Sequence, residues 1–180
     1  MTTRTLVAGV GNVFLGDDGF GVEVARRLAT EPLPEGVEVG DFGIKGVHLA
    51  YEALEGWDNL VLVDAMSRGE EPGTLTVLEP EPGPPDGSAP AMDAHRMDPA
   101  TVLAMVAGMG GHFGRIIVIG CEPEVVDERM ELSETVSASV ERALRLVRDV
   151  VTEAHLHRAK MSAGPVPATD HGSTSKEGLA

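Results

Sequence analysis

One stretch near the amino terminus, residues 6–21, constrains the fold more than any other part of the chain. It reads Leu6-Val7-Ala8-Gly9-Val10-Gly11-Asn12-Val13-Phe14-Leu15-Gly16-Asp17-Asp18-Gly19-Phe20-Gly21. The apolar run predicts a buried strand, Gly9 and Gly11 allow a sharp turn, and the amphipathic segment from Val22 predicts a helix. A strand–loop–helix unit of this kind is typical of an open α/β sheet, which binds ligands at the carboxyl edge of its strands.

A dinucleotide-binding loop is the first alternative for this stretch. Gly9-x-Gly11 follows a strand, and Asp41 ends the next predicted strand, near the position of a ribose-binding acid. The third glycine of the pattern G-x-G-x-x-G is replaced by Phe14, however. Two adjacent acids also stand at the helix entrance, where a pyrophosphate needs N–H groups and positive potential. The loop therefore favours a cation.

The two acids are Asp17 and Asp18. A single Asp before a helix is commonly an N-cap, because its side chain accepts hydrogen bonds from N–H groups of the first turn. One cap uses only one of the two carboxylates. The other carboxylate is therefore available to bind a ligand, and the residues alone leave open which of the two it is. With Asp18 as the ligand, Asp17 belongs to the loop or the helix cap.

Composition limits the class of protein and its partners. Of the 180 residues, 42% are hydrophobic and only 3% are aromatic, which predicts one domain with an aliphatic core. A formal charge of −15 disfavours nucleic acid and anionic membranes as partners. The sequence has no run long enough to span a membrane and no signal-peptide core, so we expect a cytoplasmic protein. The single cysteine, Cys121, is interpreted as a buried spectator thiol.

Strand and helix signals alternate along the chain. Continuous apolar runs at residues 60–63 and 116–119 predict central parallel strands, covered on both faces. The segment 74–78 starts too soon for a helical crossover, so we expect an antiparallel edge strand reached by a hairpin. The other predicted elements are a strand at 37–42, helices from 22, from 46, at 99–107 and at 133–154, and a long loop at 79–93. We expect one domain over residues 1–154 and a disordered tail over 155–180.

A topological argument places His95 at the same sheet edge as Asp18 and Asp64. Asp64 lies at the carboxyl end of the third predicted strand. The third predicted helix must start at the carboxyl edge to lead into the last strand, and His95 lies just before it. His48, at the start of the second helix, is the competing histidine. Its apolar neighbours indicate that it packs along the helix, so we prefer His95.

Two carboxylates and one imidazole on three separate loops suit a borderline divalent metal such as nickel, zinc or iron. The set leaves coordination positions open for another ligand. A covalent catalyst is not indicated, because Ser67 lies in no G-x-S-x-G elbow and Ser133 is interpreted as a helix cap.

These residues resemble the hydrogenase maturation endopeptidases, cytoplasmic proteases that remove a C-terminal extension from the large subunit of nickel–iron hydrogenase. The resemblance covers residues 4–153 and rests on the stretch 9–21, on Leu62-Val63-Asp64-Ala65 and on His95. It implies a three-layer α/β/α sandwich around a mainly parallel, twisted five-stranded sheet with one antiparallel edge strand. It also implies that Asp18, Asp64 and His95 are the metal ligands and the catalytic residues.

The chain departs from the family pattern at two places. The first ligand is often Glu in the family and is Asp18 here. The family's Asp-x-Gly-Thr-x-Gly becomes Asp41-Phe42-Gly43-Ile44-Lys45-Gly46, without the Thr. Lys45 is interpreted as a contact for an acidic or carboxyl-terminal group on the substrate. The residues expected to contact the substrate are Gly11, Asn12, Asp41, Gly43 and Lys45.

The resemblance implies an endopeptidase that acts after nickel insertion, with Ni²⁺ arriving on the precursor of the hydrogenase large subunit. We expect that precursor to be the partner, and the free protein to be a monomer. Two other classes stay open. A non-catalytic metal-binding assembly chaperone would use the same three ligands, and a nucleotide-binding α/β enzyme would use the glycine loop.

Overall fold

The computed structural model describes residues 2–44, 46–80, 104, 107–111 and 113–162, and the side chains of all of these except 46, 47 and 158–162. Its strands are β1 (Thr5–Val10), β2 (Val37–Gly43), β3 (Trp57–Ala65), β4 (Leu75–Leu78) and β5 (Phe113–Cys121). Its helices are α1 (Phe20–Leu28), α2 (Gly46–Glu52) and α3 (Glu134–Ser162), with short 3₁₀ helices at Gly16–Gly19 and Ala53–Glu55. The sequence interpretations of Lys45, His95, nearly all of the loop 79–93, most of the helix 99–107 and the tail beyond 162 lie outside the described residues.

A mixed sheet forms the centre of the fold. The described strands pair in the order β2-β1-β3-β5-β4. β1 is parallel to β2 and to β3, β3 is parallel to β5, and β4 is antiparallel to β5. The mainly parallel sheet with one antiparallel edge strand is thereby confirmed.

The predicted hairpin between β3 and β4 is wrong. β4 pairs with β5, from Leu75 opposite Cys121 to Leu78 opposite Val118, and β5 lies between β4 and β3. The connection crosses the end of β5, where the Met66 N–H donates to the Cys121 carbonyl at 2.8 Å. The short connection before β4 excludes a helical crossover, but it does not identify the strand with which β4 pairs. That strand is β5, which comes later in the chain.

Helices cover both faces of the sheet and complete the three-layer sandwich. α1 and α3 lie on one face, and α2 lies on the other. The strand residues of the first core are Val7, Val37, Val61, Val63, Ile117, Ile119 and Cys121. Those of the second core include Leu6, Ala8, Leu60, Leu62 and Val118. Because alternate residues of a strand face opposite layers, a central strand that is covered twice is a continuous apolar run.

The last helix is longer than predicted. α3 continues to Ser162, whereas the apolar periodicity predicts an end at residue 154 and a tail from 155. His155 Nε2 lies 3.1 Å from Thr5 Oγ1, and that hydroxyl also accepts a hydrogen bond from Asn59 Nδ2 at 3.0 Å. This polar contact attaches α3 to the sheet beyond its apolar face, so the end of the helix was predicted too early. Neither α3 nor any other helix in the described part of the chain is both long and apolar enough to cross a membrane.

Candidate active site

The carboxyl ends of the four parallel strands meet at one edge of the sheet. In the strand register, Gly9 of β1 lies beside Asp41 of β2 and Val63 of β3. Asp64 of β3 lies beside Gly120 of β5. The loops that follow β1, β2 and β3 therefore start side by side, and Asp64 shares an edge with the opening loop, residues 11–19.

Two glycines allow close backbone approaches at the opening loop, one within the loop and one between α1 and β3. A Cβ at Gly21, in the first turn of α1, would collide with the carbonyl oxygen of Val63. Gly11 has a φ of +136°, and a Cβ there would collide with the carbonyl oxygen of Asp18. The short helix Gly16–Gly19, which carries Asp18, consequently packs against the carboxyl end of β3.

Asp18 is fixed by the loop to which it belongs. Its Oδ2 accepts the backbone N–H of Asn12 at 2.8 Å. The Asn12 carbonyl in turn accepts the Leu15 N–H at 3.1 Å, and the Asn12 side chain accepts the Phe14 N–H at 3.0 Å. The carboxylate is half-buried, and the bond to Asn12 uses one of its two oxygens. Asp18 can therefore bind a cation while the backbone holds it in place.

Asp64 is buried at the end of β3, with 2% of its surface exposed. Its Oδ1 accepts the Ala65 backbone N–H at 2.8 Å. A carboxylate at this depth is stabilised only by hydrogen bonds or by positive charge. This position suits Asp64 to a cation held between the end of β3 and the opening loop.

The third proposed ligand, His95, lies outside the described residues. Within the described part of the chain, no three His, Cys, Asp or Glu side chains form a group that could hold a metal ion. A metal bound by Asp18 and Asp64 would need its further ligands from residues beyond that part, such as His95, or from a substrate. Mixed oxygen and imidazole ligands are compatible with Ni²⁺.

Asp17 has a structural role that the sequence did not reveal. Its side chain caps neither Gly16–Gly19 nor α1. It is fully buried and accepts hydrogen bonds from the backbone N–H groups of Glu124 and Val125, both at 2.8 Å, and of Ser133 at 2.6 Å. The Ser133 hydroxyl donates a fourth at 2.9 Å. Burial works against the charged form, but these hydrogen bonds outweigh it and hold the pKa of Asp17 below its usual value.

A cleft of about 330 Å³ lies beside the opening loop, on the side of β2. Four of the five residues expected to contact substrate line it together, namely Gly11, Asn12, Asp41 and Gly43. Lys45, the fifth, lies outside the described residues. Phe14 and Ile44 also line the cleft and are 62% and 52% exposed. Exposed apolar side chains at the mouth of a cleft are typical of a surface that binds a peptide.

His48 also lines this cleft and is exposed, so the expectation that it packs along its helix is wrong. The buried face of α2 is formed instead by Leu49 and Ala50. A helix of seven residues has too few turns for its apolar period to show which face an end residue occupies. His48 therefore contributes a polar side chain to the wall of the cleft.

Cys121 is buried at the end of β5, as the sequence predicted. Burial raises the pKa of its thiol to about 12. At neutral pH the group is a thiol and not the nucleophilic thiolate. This excludes Cys121 as a nucleophile for acyl transfer.

The chain is similar to a known protein family and to several of its members. The profile of the hydrogenase maturation protease family HycI matches residues 22–150. The hydrogenase 2 maturation protease of Escherichia coli is 31% identical over 157 residues, which are 83% of this chain and 92% of that protein. The hydrogenase expression/formation protein HupD of Rhodobacter capsulatus is 35% identical over 143 residues, 78% of this chain and 68% of that protein.

Solved structures have the same fold. The hydrogenase maturating endopeptidase HybD of Escherichia coli superposes with a TM-score of 0.69 at 30% identity, over 84% of this chain and 94% of that one. The [NiFe] hydrogenase maturation protease HycI of Thermococcus kodakarensis superposes with a TM-score of 0.64 at 28% identity, over 83% and 93%. With its fold and these matches together, the chain belongs to the hydrogenase maturation proteases, a family of endopeptidases.

Proposed function

We propose that this protein cleaves the C-terminal extension from the precursor of a nickel–iron hydrogenase large subunit, after nickel has been inserted. The observation that carries the proposal is the position of Asp18 and Asp64 at one sheet edge, beside a cleft lined by Gly11, Asn12 and Asp41. The names of the relatives support hydrogenase maturation as the process.

Nickel enters this proposal as part of the substrate. Asp18, Asp64 and His95 offer at most three ligands, so an ion in the free protein keeps open coordination positions and is expected to bind weakly. A precursor that already carries nickel supplies both the missing ligands and the positive charge. Recognition of the metal then limits cleavage to precursors that have been loaded.

The chemistry assigned to the site is hydrolysis of one peptide bond. A divalent ion next to the scissile bond polarises the carbonyl and lowers the pKa of nearby water. Asp18, Asp64 and His95 are proposed to hold the ion, and one of the carboxylates is proposed to accept the proton of the attacking water. The cleft beside the opening loop is proposed to hold the extended peptide on one side of the cut.

The test is cleavage of matched precursor preparations, one loaded with nickel and one free of nickel, followed by intact mass. We expect loss of the C-terminal extension from the loaded precursor alone. A parallel titration of the free protein with Ni²⁺ should show only weak binding. Equal cleavage of both precursors would contradict nickel recognition, and cleavage of neither would contradict the proposed substrate.

A further inference from the structure

We propose that Asp17 is a positioning residue for Asp18: its buried carboxylate joins the segment 122–133 to the opening loop and so sets the place of the neighbouring ligand. This inference rests on the proposed function, in which Asp18 contacts the substrate-borne metal. Asp17 itself is fully buried, so its proposed effect on the reaction is exerted through Asp18.

Asp17 brings together two parts of the chain that are far apart in sequence. Its Oδ2 accepts the N–H groups of Glu124 and Val125 and the hydroxyl of Ser133, while Oδ1 accepts the Ser133 N–H. The three backbone N–H donors lie within 2.8 Å of the carboxylate, and the Ser133 hydroxyl lies at 2.9 Å. All of them belong to the segment that leaves the carboxyl end of β5, at the same edge as Asp18 and Asp64.

Backbone hydrogen bonds join the same two segments at Asp17 and at the residues just before it. The Gly16 N–H donates to the Arg129 carbonyl at 2.7 Å, and the Asp17 N–H donates to the Val125 carbonyl at 2.9 Å. In the other direction, the Arg129 N–H donates to the Phe14 carbonyl at 3.1 Å. The segment 122–133 and the opening loop are therefore one hydrogen-bonded unit, with the Asp17 carboxylate at its buried centre.

The geometry of the short helix Gly16–Gly19 explains why the adjacent side chains of Asp17 and Asp18 reach different partners. A 3₁₀ helix has about three residues per turn, so neighbouring side chains point roughly a third of a turn apart. Asp17 consequently reaches the segment 122–133, whereas Asp18 turns back to the Asn12 N–H of its own loop. A shift of the junction at Asp17 moves the backbone of Asp18 directly, because the two residues share a peptide bond.

The experiment compares two serine substitutions near the start of α3. Ser133→Ala removes one donor to Asp17 and keeps the backbone donor. Ser139→Ala is the matched control, since Ser139 is also buried but donates to the Gly73 carbonyl at 2.9 Å. kcat and KM are measured on nickel-loaded precursor, and thermal unfolding of each variant gives its folded fraction.

We expect Asp17→Asn to lower kcat by about tenfold or more, with KM changed by less than about threefold, because small displacements of a reacting group cost rate steeply. Ser133→Ala should lower kcat in the same manner but by less, and Ser139→Ala should leave kcat unchanged. In the Asp17→Asn background, Ser133→Ala should have no further effect on kcat, because the two act through one contact.

Equal kcat in the Ser133 and Ser139 variants, or full additivity of Ser133→Ala with Asp17→Asn, would overturn the positioning role. A loss of rate that is fully explained by a smaller folded fraction would overturn it as well. If Asp17→Asn does not fold, Ser133→Ala alone supplies the test. Failure of the wild-type protein to cut the loaded precursor would overturn the proposed function instead. The two failures are therefore distinguishable.

Discussion

Arg26 of α1 forms an ion pair with Asp41 of β2 at the wall of the cleft, with 3.0 Å between Nε and Oδ2. Their side chains are 58% and 33% exposed, so the pair is solvated and contributes little to stability. Asp41 Oδ1 also accepts the Gly43 N–H at 3.0 Å. The pair therefore stands where a bound peptide can exchange hydrogen bonds with either charged group.

Arg26→Ala should weaken substrate binding without unfolding the protein. We expect the free energy of unfolding to change by less than about 1 kcal/mol, because the pair is exposed. KM for the loaded precursor should rise about three- to tenfold, equivalent to about 0.7–1.4 kcal/mol of binding. Arg148→Ala is the matched control, since Arg148 pairs with Glu31 at 2.7 Å with similar exposure, away from the cleft. The same KM in both variants would contradict a role for Arg26 at the cleft.

Asp18→Asn, Asp64→Asn and His95→Ala should each abolish cleavage of the loaded precursor. The first two substitutions are nearly isosteric and remove only a charge, so we expect thermal unfolding to remain cooperative. Loss of one ligand should lower the rate by about 100-fold or more, comparable with removal of one electrostatic stabiliser from an active site. Asp149→Asn and His157→Ala, at exposed positions on α3, provide controls. Near-normal cleavage by the His95 variant would contradict its assignment as a ligand.

The stability of the fold should depend on pH through Asp17. Its pKa is lower in the folded protein than its ordinary value of 3.8, so the unfolded chain takes up the proton first as the pH falls. The contribution of this carboxylate to the free energy of unfolding is therefore fully present above about pH 4. It is lost as the pH falls through the pKa that Asp17 has in the folded protein. Urea unfolding of wild type and Asp17→Asn from pH 7 to pH 3 tests this. The difference in their free energies of unfolding, about 1–3 kcal/mol at neutral pH, should shrink in acid.

Apolar patterning predicted the central strands, because burial on two faces leaves a direct signal in the sequence. The antiparallel edge strand was predicted from the connection before it, which is too short for a helical crossover. It could not predict that β4 joins β5, or that Asp17 binds the segment containing Ser133, since both contacts join distant parts of the chain. The pair of acids did suggest that one of them had a task beyond capping. Only the fold shows which one is buried.

Cys121 should be inert in the folded protein. Burial raises the pKa of its thiol to about 12, so the reactive thiolate is scarce at pH 8. A thiol reagent added to native protein should therefore react slowly, and the same reagent in denaturant should label one thiol per chain rapidly. Fast labelling of the native protein would show that the end of β5 opens to solvent.

Truncation of α3 should reveal how much of the helix the domain needs. A chain that ends at Arg158 keeps His155 and its contact with Thr5, and we expect near wild-type stability and activity. A chain that ends at Ala154 loses this contact, and its free energy of unfolding should fall by about 1–2 kcal/mol, as for a partly buried hydrogen bond with its packing. Chemical unfolding of both truncated proteins measures the difference. Equal stability would show that the His155 contact contributes nothing.

At Gly21, α1 meets β3 through main-chain atoms, without an intervening layer of side chains. Side chains accommodate strain by changing rotamer, and a contact between two backbones has no such freedom. The end of the opening loop next to Gly21 is therefore expected to move little relative to the sheet. Adaptation to differently shaped precursors has to occur in segments farther from this contact, while the distance from Asp18 to the end of β3 stays nearly constant from one binding event to the next.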